Sequence, residues 1–145
     1  MEEELRFLET ALPEDWAAYP RSLFEAFAAH ARMLRDTAPW CAALSREAYE
    51  QYVLCPRVND EDLSEHRELF YSQLWDRVKD LDQEDAALEV NRWCHEQASY
   101  QAQDDRTASP LTVYRCGSGR CGEESSFLVA ALRSVGLPAR QVYAP

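Results

Sequence analysis

The sequence predicts a mainly α chain, with a helical region over residues 1–82 followed by a segment over 83–145 in which a glycine-rich loop leads into a buried helix and one short strand. Three observations carry this expectation. Apolar residues recur every three or four positions through most of the chain up to Tyr100, the spacing that lines one face of a helix. Prolines and N-cap residues fall between these stripes, where helices begin and end. Only Ala139–Ala144, after a Gly-Leu-Pro turn, reads as extended.

Taken in order, Leu5, Leu8 and Leu12 form a first stripe that Pro13 interrupts. A second helix is expected to open between Pro20 and Ser22, to carry Leu23, Phe24, Phe27, Ala31 and Leu34 on one face, and to stop before Pro39. Ser45 is placed to cap a helix bearing Tyr49, Tyr52 and Val53, which Cys55-Pro56 ends because the residue before proline avoids the α region. The acids of Asn59-Asp-Glu-Asp62 would complement the dipole of a helix start, with His66, Leu69, Phe70, Leu74 and Val78 continuing to about Asp80. Asp82 caps the next helix, whose stripe runs Ala86, Val90, Trp93, Gln97 and Tyr100 and reads as core packing. Polar Gln101–Ser109 then forms a loop.

Composition sets bounds on function. The chain has 145 residues and 46% hydrophobic content, enough for a packed core. Its 15 basic and 26 acidic residues leave a net charge of -11, which argues against nucleic acid or an anionic membrane as partner. The N-terminus, Met-Glu-Glu-Glu-Leu-Arg, lacks the basic start and apolar core of a signal peptide, so the cytoplasm is expected. Five cysteines without paired C-x-x-C spacing signal neither a disulfide framework nor a zinc site, and no cofactor motif is present.

The chemistry concentrates near the end of the chain. Gly117, Ser118 and Gly119 form a loop unsuited to a helix interior, and after it Leu128, Ala131, Leu132 and Val135 recur at helical spacing. Cys121 is therefore expected in the first turn of a helix that ends where Gly136 supplies a left-handed cap and Pro138 blocks continuation. Unpaired N–H groups at a helix start carry roughly half a positive charge and favour thiolate over thiol. Gly119 and Gly122 would let a substrate backbone approach the sulfur, and the Cys121 N–H would face a developing oxyanion. The alternative is a small buried residue in a turn. For His30, a structural reading, as a surface or a satisfied histidine, outweighs a catalytic one. Arg57, Asn59 and Glu61 read as a turn and a cap, with a cleft lining as the other reading.

Gly119-Arg-Cys-Gly-Glu123, the run Leu128–Arg140, Gln141-Val-Tyr143 and the upstream helix Asn91–Tyr100 together resemble the cysteine half of the transglutaminase-like core. The segment from Pro39-Trp40 through Val53–Glu61 is similar to the helical region that precedes this core in some bacterial members. The resemblance implies an α+β parent fold, papain-like thiol chemistry with Cys121 as nucleophile, and loop and oxyanion support from Gly119, Arg120, Gly122 and Glu123. It implies a protein, peptide or amide substrate, attacked to give a thioester that passes to an amine or to water. Where papain-type enzymes place a glutamine ahead of the cysteine, this chain has Arg115, Cys116 and Ser118, so a backbone N–H would have to serve.

The same resemblance places a His and an Asp on strands after the cysteine, and the sequence reaches Pro145 before either. His30, His66 and His95 lie ahead of Cys121, outside that pattern. The chain by itself is accordingly expected to lack turnover, and a non-catalytic helical or peptide-binding module is the rival reading. The strand at 139–144 has no sheet to join within the chain, and is expected to be disordered, to pair with a second copy or to be held by a C-terminal remainder.

Overall fold

A computed structural model describes residues 2–58, 63, 65–97, 99–100, 118–119 and 121–140, with residues 99–100, 118–119 and 121–125 entering by their backbone alone. The chain is mainly helical, as expected. The helices are α1 (Glu2–Ala11), α2 (Pro13–Ala18), α3 (Arg21–Thr37), α4 (Pro39–Ala42), α5 (Arg46–Tyr49), α6 (Arg67–Val78), α7 (Gln83–Gln97) and α8 (Cys121–Ser134). Two short strands, β1 (Ser99–Tyr100) and β2 (Ser118–Gly119), pair in parallel. No helix among the described residues is long and apolar enough to cross a membrane.

The caps follow the sequence closely. Ser45 Oγ accepts the Ala48 N–H at 3.2 Å at the start of α5, and Asp82 Oδ1 accepts the Asp85 N–H at 2.8 Å at the start of α7. The stripe residues Phe24, Phe27, Ala31 and Leu34 of α3 and Ala86, Val90 and Trp93 of α7 are all buried. One continuous core joins residues from Leu8 in α1 to Leu137 beyond α8, so the cysteine-bearing helix packs on the helices that precede it.

Three expectations need correction. The helix containing Phe70 begins at Arg67; Asn59–Asp62 lie outside the described residues, and His66 sits before the helix with φ -125°. The reason is tertiary: the His66 ring is buried beside Phe27 and Phe70, and Arg67 reaches back to carbonyls of the preceding turn. Tyr100 is extended, not helical, because its backbone pairs with Gly119 of β2. The helix begun by α5 ends before Cys55-Pro56 as expected, but it is not regular α-helix to that point. It widens into a π-helical turn over Glu50–Leu54, closed by the Cys55 N–H bonding to the Glu50 carbonyl at 3.1 Å.

Three charged clusters among the described residues bind helices together. Arg57 holds Asp15 of α2 in a two-pronged pair, at 2.7 Å and 2.8 Å, so it belongs to a turn anchored on the N-terminal helices. Arg77 of α6 bridges Glu89 and Glu96 of α7. The buried Glu4 of α1 accepts the Tyr49 hydroxyl at 3.1 Å and lies near Arg46. Burial alone would raise its carboxyl, but its backbone bond, Tyr49 and Arg46 outweigh that and hold it below the usual range.

Candidate active site

The site is built on α8. Cys121 is its first residue, as the glycine loop and the downstream stripe predict, and the helix runs 14 residues to Ser134. Gly119 lies in β2 just before it, and Gly122 and Glu123 fall in its first turn. Arg120 lies outside the described residues, as do Asn59, Glu61, Cys116 and the loop at 101–109. The backbone of β1 lies alongside β2, Ser99 opposite Ser118 and Tyr100 opposite Gly119. The end of the Trp93 helix is thereby brought beside the loop that enters the cysteine helix.

Below its first turns α8 is buried on several sides. Phe127 packs edge-on against Phe70 of α6 at 5.4 Å between ring centroids and tilted against Trp93 of α7 at 5.6 Å. Ala130, Ala131 and Val135 continue the apolar contact. The sequence stripe named Ala131 and Val135 but passed over Phe127 and Ala130, because this helix is apolar on more than one face.

The far end of α8 is held by directed bonds. The Gly136 N–H bonds to the Arg133 carbonyl at 3.1 Å and the Leu137 N–H to the Leu132 carbonyl at 3.0 Å, with Gly136 at φ +87°. This is the Schellman cap that Gly136 predicts. The Trp40 indole N–H donates to the Val135 carbonyl at 2.8 Å, and His30 Nε2 donates to the Ser134 carbonyl at the same distance. His30 is thus the satisfied structural histidine expected. Its partner Ser134 lies 13 residues from Cys121 along α8, which at the α-helical rise is about 20 Å.

Burial pushes the His30 pKa down to about 4; the charge of Arg67 adds to this and the bond to Ser134 opposes it. The folded value lies below the 6.5 of an unperturbed histidine, so the unfolded chain takes up the proton first. The associated stability is complete above about pH 6.5 and is lost as pH falls towards 4, a loss of roughly 2 kcal/mol after discounting for the partial exposure of the residue. Urea unfolding of the wild type and His30→Gln, each near pH 7 and near pH 4, measures it as the difference between their pH slopes. Equal slopes would assign the acid sensitivity to other groups.

The thiols separate by environment. Burial raises Cys41 to about 11, against the pull of Arg35 and Arg67, and raises Cys94 to about 12. Both are therefore thiols at neutral pH and poor nucleophiles. Cys55 is half-buried, with its Sγ 3.6 Å from the Arg57 carbonyl.

At the other end of the segment, Ala139 has partners within the chain. Its N–H bonds to the Tyr52 carbonyl at 3.1 Å and its carbonyl accepts from Arg133 Nε at 2.9 Å. Of the strand expected over 139–144, the described residues Ala139 and Arg140 are not in a strand, Ala139 being held by these bonds to a turn and to α8, while residues 141–145 lie outside those described.

The family model of the transglutaminase-like superfamily matches residues 72–145, a span that begins within α6 and contains the whole of α8. No curated protein and no solved structure matches the chain.

Proposed function

Since the chain belongs to the transglutaminase-like superfamily, we propose that it provides the nucleophile-bearing part of a thiol acyl-transfer or amide-hydrolysing site, with Cys121 as the nucleophile. The observation that carries this reading is the placement of Cys121 as the first residue of a long, buried helix inside the matched span. There the helix dipole favours the thiolate, and Gly119 and Gly122 leave room for a substrate backbone.

The thiolate sulfur attacks the carbonyl carbon of a carboxamide or peptide, the backbone N–H groups at the helix start stabilise the oxyanion, and the C–N bond breaks as the amine leaves with a proton. An amine or water then attacks the thioester and the thiol is restored. Arg120 and Glu123 are assigned to support of the loop. Residues 1–82 are read as the helical N-terminal region and 83–145 as part of a papain-like core. The substrate is a protein, peptide or amide, and the compartment the cytoplasm.

Limiting iodoacetamide at neutral pH, followed by peptide mapping, tests the assignment. Cys121 is expected to react first and Cys41 and Cys94 last, with Cys121→Ser removing the fast phase. Exposure to an activated ester is expected to leave an acyl group on Cys121. Preferential labelling of Cys41, Cys55 or Cys94 would overturn the assignment, and a reactive Cys121 that takes no acyl group would favour a peptide-binding module.

A further inference from the structure

The π-helical turn and the residues after it form an unusual cluster of main-chain acceptors. Its carbonyls lack a continuing helix, and Pro56 brings no N–H to the turn. Two buried arginines from distant helices fill the gap. Arg67, 1% exposed, donates to the Val53 carbonyl and, at 2.9 Å, to the Cys55 carbonyl, with its guanidinium 4.9 Å from the Phe27 ring centroid. Arg133 of α8, 3% exposed, donates to the same Cys55 carbonyl at 2.8 Å, to the Arg57 carbonyl at 3.0 Å and to the Ala139 carbonyl at 2.9 Å. The negative end of the turn's dipole faces both cations.

We propose that Arg133 is a positioning residue for Cys121, locking α8 in axial register on the Cys55–Arg57 turn. The proposal rests on the reading of Cys121 as nucleophile. The apolar face of α8, built from Phe127, Ala130 and Ala131, resists separation from the neighbouring helices, but hydrophobic contact is non-directional and does little to oppose sliding or rotation. A slip of one residue moves a helix by about 1.5 Å and turns it by about 100°. Arg133 opposes this with a rigid planar fork, satisfied at once by one carbonyl beyond its own helix and two on a turn 76–78 residues earlier in the chain. A displacement of about 1 Å at a reacting centre can cost on the order of a hundredfold in rate. Lysine offers a point charge in place of the fork and does not reproduce the geometry.

Full-length Arg133→Lys and Arg133→Met are compared with Val90→Ala, a destabilising core change on α7 away from the turn, with the stability of each variant measured alongside. Two readouts are taken: the pH profile of Cys121 alkylation, and amide hydrogen exchange along α8. Both arginine variants are expected to slow Cys121 alkylation at least about tenfold, to shift its pH midpoint and to lose amide protection in the second and third turns of α8, while Val90→Ala keeps the wild-type profile. Should Arg133→Met fail to fold, the charge-retaining Arg133→Lys decides. An unchanged profile in the folded arginine variants, or an equal change in Val90→Ala, would overturn the proposal. If Cys121 is unreactive in the wild type, the nucleophile assignment fails by itself; exchange then decides the register, and protection in Arg133→Lys equal to that in Val90→Ala would refute it.

Discussion

Replacing Phe127 with alanine is expected to remove about 4 kcal/mol of stability, lowering the thermal midpoint by roughly 10 °C in a domain of this size. Phe127 is almost wholly buried and shares a three-ring cluster with Phe70 and Trp93, whose own centroids are 5.4 Å apart. The substitution loses the transfer of the ring from water, the edge-to-face contact with Phe70 and the filling of a space that α6 and α7 cannot easily collapse into. Leu88→Ala serves as the contrast, since Leu88 is 57% exposed and its loss is expected to cost less than about 0.5 kcal/mol. Chemical denaturation of both variants measures the difference. Similar costs would mean that α8 draws its stability from elsewhere.

Gly136→Ala is expected to cost about 3 kcal/mol, although it adds a single methyl group. Two independent penalties meet at this residue. Its φ of +87° lies in the left-handed region, where a side chain costs roughly 1–2 kcal/mol. An added Cβ would also stand 3.0 Å from Cys41 Cβ and 3.3 Å from Ala38 Cβ, both attached to buried backbone with no flexible end to move aside. Gly136→Asn separates the two, because asparagine tolerates the left-handed region better and meets the same wall. If Asn rescues most of the loss, the backbone term dominates; a loss equal to or greater than that of alanine would assign it to packing. A cost below about 1 kcal/mol for Gly136→Ala would show that the α8 cap relaxes freely.

Much of the fold was legible in the residues. Proline positions, the Ser45 and Asp82 caps, the α3 and α7 stripes and the Gly136 cap are local effects, in which a side chain answers to backbone groups a few residues away. Cys121 at the start of a buried helix was equally legible, since a glycine loop, a helical stripe and a Gly-Leu-Pro stop bracket it. So was the superfamily, carried by the ordered motif around that cysteine and matched over residues 72–145.

What depended on the tertiary structure were the groups whose partners lie far along the chain. Nothing near Glu50–Leu54 announces a π-helical turn; its Tyr52 and Val53 carbonyls answer to Ala139 and Arg67, and the Cys55 carbonyl just beyond it to Arg67 and Arg133. His66 leaves the expected helix because its ring packs between Phe27 and Phe70, and Tyr100 leaves another because its backbone meets β2. Arg133 illustrates the division most sharply. In sequence it is one charge within an apolar helix, where periodicity would turn it to solvent, yet the fold buries it because three carbonyls converge on its fork. Periodicity and capping are properties of neighbouring residues and can be read from the chain, whereas the pairing of buried polar groups across 76 residues and more is decided only when the helices pack.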